Sequence, residues 1–228
     1  MTISKFSIEQ NLVKELEARI ITGQLKVGEY MPAERLLATQ MEVSRPVIHN
    51  ALIRLEENGL IQIVPRQGAK VLDYKRHGNL SIVNSLIDCY GRDINHHLRD
   101  SILNLLKGHC DLIISDIIKN DFNATLELPK ETLSIAMELT EKEEKIDAFV
   151  ELYLRFAESA VNPLFLMLLN SCKLSLRDIG VILVERDSAY HTLLRLWSSL
   201  LHQLKIKDAE KAYAVNQTIF ELLIEIWL

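Results

Sequence analysis

The sequence predicts a mainly α chain in two parts. An N-terminal module of three short helices and a small β-hairpin is joined to an all-α helical bundle. Three observations carry this expectation. Apolar residues recur at helical spacing through most of the 228 residues. Strand-like runs are confined to two short segments flanking Pro65-Arg66-Gln67-Gly68. The charge also changes along the chain: residues 1–76 hold 11 Lys and Arg against 9 Asp and Glu (net +2), and residues 77–228 hold 15 against 22 (net −7). A mildly basic head on an acidic body fits a head that meets phosphate and a body that does not.

The head reads element by element. Ser7 is suited to cap a first helix, with Gln10 as its capping-box partner, and Leu12, Leu16, Ile20 and Ile21 form the helix's apolar stripe up to Gly23. Lys26 to Glu29 is a turn. Pro32 opens a second helix with Leu36, Leu37 and Met41 inward. Ser44 caps a third helix that has Pro46 in its first turn and Val47, Ile48, Ala51, Leu52 and Leu55 as its stripe. Asn58-Gly59 supplies a left-handed stop. Leu60–Val64 and Ala69–Leu72 are short strands, with residues 65–68 as the turn between them.

Two short helices, a tight link and a basic hairpin are the sequence form of a winged helix-turn-helix, in which the third helix enters the DNA major groove. The expected DNA-contacting residues are Arg35, Ser44, Arg45, Val47, His49, Arg66, Gln67 and Lys70. Arg45, near the start of the third helix, suits a bidentate contact to guanine. Arg35 and the hairpin cations suit phosphate or minor-groove contacts.

The run Gly28-Glu29-Tyr30-Met31-Pro32-Ala33-Glu34-Arg35-Leu36-Leu37-Ala38, then Val43-Ser44-Arg45-Pro46-Val47, then Ala51-Leu52 with Leu55 and Gly59-Leu60, then Arg66, Gly68 and Val71, resembles the GntR family of transcription regulators. The resemblance covers about residues 8–72. It implies that Arg35, Ser44, Arg45 and the wing contact operator DNA. The chain departs from the family at His49-Asn50, where Arg-Glu is usual, so the family's operator preference does not carry over to it.

From Leu80 onward the pattern is helical. Pro129 starts one helix, Asp147 caps a long one through Phe149, Tyr153 and Phe156, and Asn162-Pro163 punctuates before a run from Leu164 to Ile182. Two last helices cover about 187–204 and 207–227. The expected division is a DNA-binding domain over 1–73, a linker over 74–79, and a ligand-binding and dimerisation domain over 80–228. Asn162 to Lys173, then Ile179-Gly180, then Glu225-Ile226-Trp227 resemble the C-terminal half of the FadR subfamily, at the spacing of its fatty-acid-responsive members. That resemblance implies an effector pocket for a long-chain acyl-CoA or fatty-acyl ligand, with Tyr153, Asn162, Lys173 and Trp227 as candidate ligand-binding residues. Two features separate this chain from that pattern: it stops at Leu228 without a basic tail, and Phe220, Leu222 and Leu223 replace polar positions. Another small metabolite, or no ligand, therefore stands beside acyl-CoA.

Metal-binding members of the subfamily use an Asp and three His in this bundle. The resemblance puts Tyr153, Ser198 and Phe220 at the three His positions, so no metal is expected. His96-His97 point about 100° apart on a helix, a poor geometry for one ion. Cys89, Cys110 and Cys172 are too few and too dispersed for a disulfide framework. No phosphate-binding glycine loop or nucleophile elbow is present, so no enzyme is expected. The N-terminus lacks a signal-peptide core and no apolar run reaches the ~18 residues of a membrane span, which points to a cytoplasmic chain. The expected protein is a homodimeric regulator with two heads on two half-sites of operator DNA. A winged helix reused as a protein-interaction module is the rival reading.

Overall fold

The computed structural model describes residues 8–90, 96–120 and 126–227. The chain forms two compact units, the first ending at Gly91 and the second beginning at Arg92.

The first unit holds α1 (Ile8–Ile21), α2 (Glu34–Gln40), α3 (Arg45–Glu57), β1 (Ile61–Val64), β2 (Gly68–Val71), α4 (Tyr74–His77) and α5 (Ser81–Tyr90). Helix α1 buries Leu12, Leu16 and Ile20 against α3, which returns Ile48, Ala51, Leu52 and Leu55. The expected cap at Ser7 lies outside the described residues. Helix α2 starts at Glu34 rather than Pro32, because the extended Ala33 occupies the N-cap position. Leu37 is buried there, but Leu36 points outward. Ser44 stands at the N-cap of α3 with extended backbone and makes no side-chain cap bond.

The hairpin is antiparallel, Ile61 opposite Val71 and Val64 opposite Gly68. Residues 28–31, read from sequence as turn and lead-in, support it from behind. Gly28 N–H donates to Val71 O (2.9 Å), Met31 N–H donates to Ala69 O (2.8 Å), and Tyr30 bridges Lys70.

Helix α5 packs on α1, so the first unit runs on past the segment expected as a linker. A buried polar relay accompanies that packing. Glu17, 5% exposed, accepts from Asn58 Nδ2 (2.9 Å) and from Ser85 Oγ (2.7 Å), and Ser81 Oγ donates to Asn58 Oδ1 (3.0 Å). Tyr90 adds a bond from its hydroxyl to Ile21 O.

The second unit is wholly helical among the described residues: α6 (His96–Asn120), α7 (Glu127–Glu138), α8 (Lys142–Glu158), α9 (Leu164–Ser171), α10 (Lys173–Val184), α11 (Asp187–Lys205) and α12 (Ala209–Ile226). Asp147 lies inside α8, which begins five residues earlier after Glu141. The run from Leu164 to Ile182 divides into two helices at Cys172. The core centres on α8 and α11, where Tyr153 and Phe156 meet Trp197 edge-on at 4.9 and 5.2 Å between ring centroids. Helix α12 lies against α6 and α11. Asn216 on α12 donates to Asp111 Oδ1 on α6 (2.8 Å). All three cysteines are free thiols. Cys110 and Cys172 are buried and Cys89 is half-buried.

Gly59 ends α3 at φ +72°, and a Cβ there would come within 2.0 Å of His77 O on α4. We expect Gly59→Ala to destabilise the first unit by about 2–3 kcal/mol, combining left-handed strain with a backbone clash. Urea unfolding of the variant against the parent chain measures this, and an unchanged midpoint would contradict the packing described.

Candidate nucleic-acid interface

Most of the residues expected to meet DNA are exposed on α2, α3 and the hairpin of the first unit. Helix α3 presents Ser44, Arg45 and His49 outward, because Ile48, Ala51, Leu52 and Leu55 take the opposite face into the core. Arg45 keeps 70% of its side chain exposed. Val47 is half-buried at the margin between the two faces. On α2, Arg35 is exposed. On the hairpin, Arg66 and Gln67 are exposed at the tip and Lys70 is half-buried on β2. Arg66 sits at φ +66°, a left-handed turn position that carries the chain from β1 into β2.

One residue outside the expected set organises the exposed face of α3. Glu34, the first residue of α2, accepts from Arg45 Nε (3.3 Å) through one carboxylate oxygen and pairs with His49 Nδ1 (3.0 Å) through the other. It thereby holds two side chains of α3 in fixed directions one helical turn apart. No in-sequence spacing rule links Glu34 to these positions, since the contact crosses from one helix to the next. Tyr30 is a second addition. Its hydroxyl donates to Gln67 Oε1 (2.5 Å), tying the segment behind the hairpin to the tip. Glu9 on α1 meets Arg54 Nε (2.8 Å) and accepts from Asn50 Nδ2 (3.3 Å), so Asn50 is engaged on the α1 side of α3.

The residues expected to bind a ligand in the second unit are dispersed by role. Tyr153 is fully buried and Trp227 is buried at the end of α12. Asn162 is half-buried, its Oδ1 accepting from Leu164 N–H (3.0 Å) at the start of α9. Lys173 is exposed and lines a groove of about 400 Å³ with Asp147, Val150, Leu174 and Arg177. Of the three positions aligned with metal-binding His, Tyr153 and Phe220 face the core, whereas Ser198 faces out and its neighbour Trp197 points in. Among the described residues, no three His, Cys, Asp or Glu side chains converge as a metal site requires. Burial pushes the Tyr153 phenol well above its ordinary range. The Trp197 indole approaches it, yet Tyr153 Oη and Trp197 Nε1 both lack a partner in hydrogen-bonding geometry.

The first unit is thus a core-packed helix-turn-helix with a two-stranded wing. Residues 8–71 match the model for bacterial regulatory proteins of the gntR family. Over 85 residues it is 31% identical to the HTH-type transcriptional regulator Mce2R of Mycobacterium tuberculosis, covering 37% of this chain and 35% of that one. Over 83 residues it is 35% identical to the Exu regulon transcriptional regulator of Escherichia coli, covering 36% and 32%. The chain thus spans about a third of the length of these curated relatives. A solved structure of Lar, described as controlling expression of the Listeria monocytogenes agr system, superposes with a TM-score of 0.63 at 15% identity, covering 99% of this chain and 98% of that one. That likeness shows the fold. The first two are transcriptional regulators by name.

Two expected outcomes follow from this geometry. The bonds from His49 and Arg45 hold the Glu34 carboxyl below its ordinary value of 4.5. A depressed folded-state value contributes stability above the unfolded pKa, and that contribution is lost as pH falls through the folded one. Glu34→Gln therefore lowers stability slightly at neutral pH, by about 1 kcal/mol or less because the pair is open to solvent. The difference from the parent should close as pH falls below the ordinary carboxylate range, as read by thermal melts across pH. In the core, Tyr153→Phe removes a hydroxyl with no partner and is expected to be neutral or to stabilise by about 1–2 kcal/mol. Tyr190→Phe should instead cost about 1 kcal/mol, because the Tyr190 hydroxyl donates to Ala136 O at 3.2 Å. Paired urea titrations separate the two.

Proposed function

We propose that this chain is a sequence-specific DNA-binding transcription regulator whose helical unit takes a small effector. The observation that carries the reading is the exposure of Arg35, Ser44, Arg45, His49, Arg66 and Gln67, with Lys70 half-buried, on the helix-turn-helix and hairpin of one unit. There the Glu34 carboxylate pre-orients Arg45 and His49 on the face of α3 turned away from the core. Phosphate contacts from the wing and α2 position the head, and α3 reads base edges. Two copies place two heads on half-sites of a near-palindrome, about one helical turn apart. His49 at a position usually occupied by Arg gives this chain an operator preference of its own.

For the effector, we propose a long-chain acyl-CoA or related fatty-acyl compound, with genes of fatty-acid metabolism as targets. The resemblance of Asn162–Lys173 and Glu225-Ile226-Trp227 to the fatty-acid-responsive FadR subfamily supports this choice, as does the aromatic, apolar interior around Tyr153, Trp197 and Phe220. The unpartnered Tyr153 Oη and Trp197 Nε1 would supply polar contacts to a ligand head within that interior. Such a ligand shifts DNA affinity only by its differential affinity for two arrangements of the protein.

Selection from random DNA followed by gel shift across salt concentrations tests the DNA reading. The expected result is a two-fold related consensus whose affinity falls with salt. Arg45→Ala should lose about 10- to 100-fold in affinity and relax discrimination at one position per half-site. Arg66→Ala should weaken all sequences alike and reduce the log–log salt slope by about 1.8, one phosphate contact being lost from each of the two heads. Binding with no sequence preference and no salt dependence would sink the reading in favour of a protein-interaction module. Mass spectrometry of small molecules released from the purified protein tests the effector: a fatty-acyl species supports it, and a different co-purified metabolite replaces it.

A further inference from the structure

The exposed face of α3 carries a side chain that can either accept or donate a hydrogen bond. A neutral imidazole has one nitrogen of each kind, and a charged one has two donors. His49 stands one helical turn after Arg45, and 56% of its side chain is open to solvent. Which nitrogen carries the proton is set by the bond the other one makes.

Glu34 makes that choice. Its Oε1 lies 3.0 Å from His49 Nδ1. The bonds from His49 and Arg45 hold this carboxyl below its ordinary range, so at neutral pH it is ionised and can only accept. The proton of a neutral His49 therefore sits on Nδ1. The two nitrogens lie on opposite sides of the ring, so Nε2 is turned away from Glu34. Nε2 has no hydrogen-bond partner among the described residues and presents a lone pair to solvent.

The other charged groups around α3 are engaged elsewhere. Arg45, on the preceding turn, points its Nε at the second oxygen of Glu34 (3.3 Å). Glu9 from α1 meets Arg54 Nε (2.8 Å) and Asn50 Nδ2 (3.3 Å). Glu56, later on α3, accepts from Ile63 N–H (2.6 Å). Strand β1, IQIV, carries no charged residue. Glu34 is thus the acid that meets His49 among the described residues. Its bond survives protonation of the ring, because Nδ1–H donates in both states. What protonation changes is the free nitrogen: Nε2 goes from acceptor to donor.

We infer that His49 is a specificity-determining residue that reads one base through Nε2, and that the base it prefers changes with its protonation. The neutral ring accepts from an exocyclic amine in the major groove, N6 of adenine or N4 of cytosine. The charged ring donates from Nε2–H to guanine O6 or N7, its extra proton taken from solvent. An arginine here could only donate, and an alanine could do neither. Glu34 is the positioning residue: it fixes the tautomer and so decides that the neutral ring seeks an amine. Imidazoles titrate between about pH 5 and 8, so the change falls in a range that cells visit. The inference rests on the regulator reading above and adds to it which base class one position takes.

The test selects binding sites from random duplex DNA with the full chain at about pH 8 and about pH 5.5, on either side of the imidazole range. One position per half-site should change from adenine or cytosine to guanine on the contacted strand, each favoured about fivefold at its own pH. The other positions should keep their bases, which separates the effect from a general weakening with pH. His49→Arg should select guanine at both pH values. Glu34→Gln should lose the amine preference at the higher pH, to less than about twofold, because a carboxamide serves either tautomer. A merely structural Glu34 would move all positions alike. The same base at every position at both pH values would overturn the inference and leave the regulator reading standing, and so would a base change that persists in His49→Arg. No consensus at either pH would defeat both. If a variant fails to fold, the parent's two selections decide alone.

Discussion

The first unit depends on one buried carboxylate. A charge removed from water survives only when it is fully hydrogen-bonded. Glu17 meets that requirement with Asn58 at the end of α3 and Ser85 on α5. Three elements far apart in sequence thus share one anion, and the helix that carries Arg45 and His49 has its C-terminal end fixed by it. Apolar packing of α1 against α3 sets how closely these helices approach. The carboxylate sets their register, because both partners must reach it at once. Asn58 does further work by accepting from Ser81 at the start of α5.

Glu34 shows the same chemistry with the opposite balance. It lies at the surface, where an ion pair adds little to stability, and what it contributes is direction. One oxygen for Arg45 and the other for His49 leave both side chains extended into solvent along a common edge. The buried acid holds the scaffold and the exposed acid holds Arg45 and His49.

Most of the head is legible in the sequence because its punctuation is local. Gly59, Pro46 and the 65–68 turn each act within a few residues, and the apolar stripes of α1 and α3 have a clear period. Sequence and structure part where tertiary context outweighs that local chemistry. Asp147 has the chemistry of a cap but meets Arg177 on the face of α8 instead. Leu164 to Ile182 reads as one helix because both halves are apolar, and the break at Cys172 leaves no proline or glycine to mark it. Ser81–Tyr90 is legible as a helix, but its apolar stripe does not say which partner it covers, and the structure lays it on α1. Glu34 escapes for a related reason: its two contacts join different helices. Ser198 stands one position from the residue that turns inward, Trp197.

The cysteines have a practical consequence. Burial pushes the Cys110 thiol far up and raises Cys172 as well, while Cys89 on α5 is half-buried and raised by burial and by its neighbours Asp88 and Glu17. A thiol is attacked through its thiolate and only where reagent can reach it. The native chain therefore offers one thiol for mild alkylation, on the last helix of the head. A fluorophore attached there at moderately alkaline pH would report on α5 in the unaltered sequence, with the two buried thiols silent until the bundle opens.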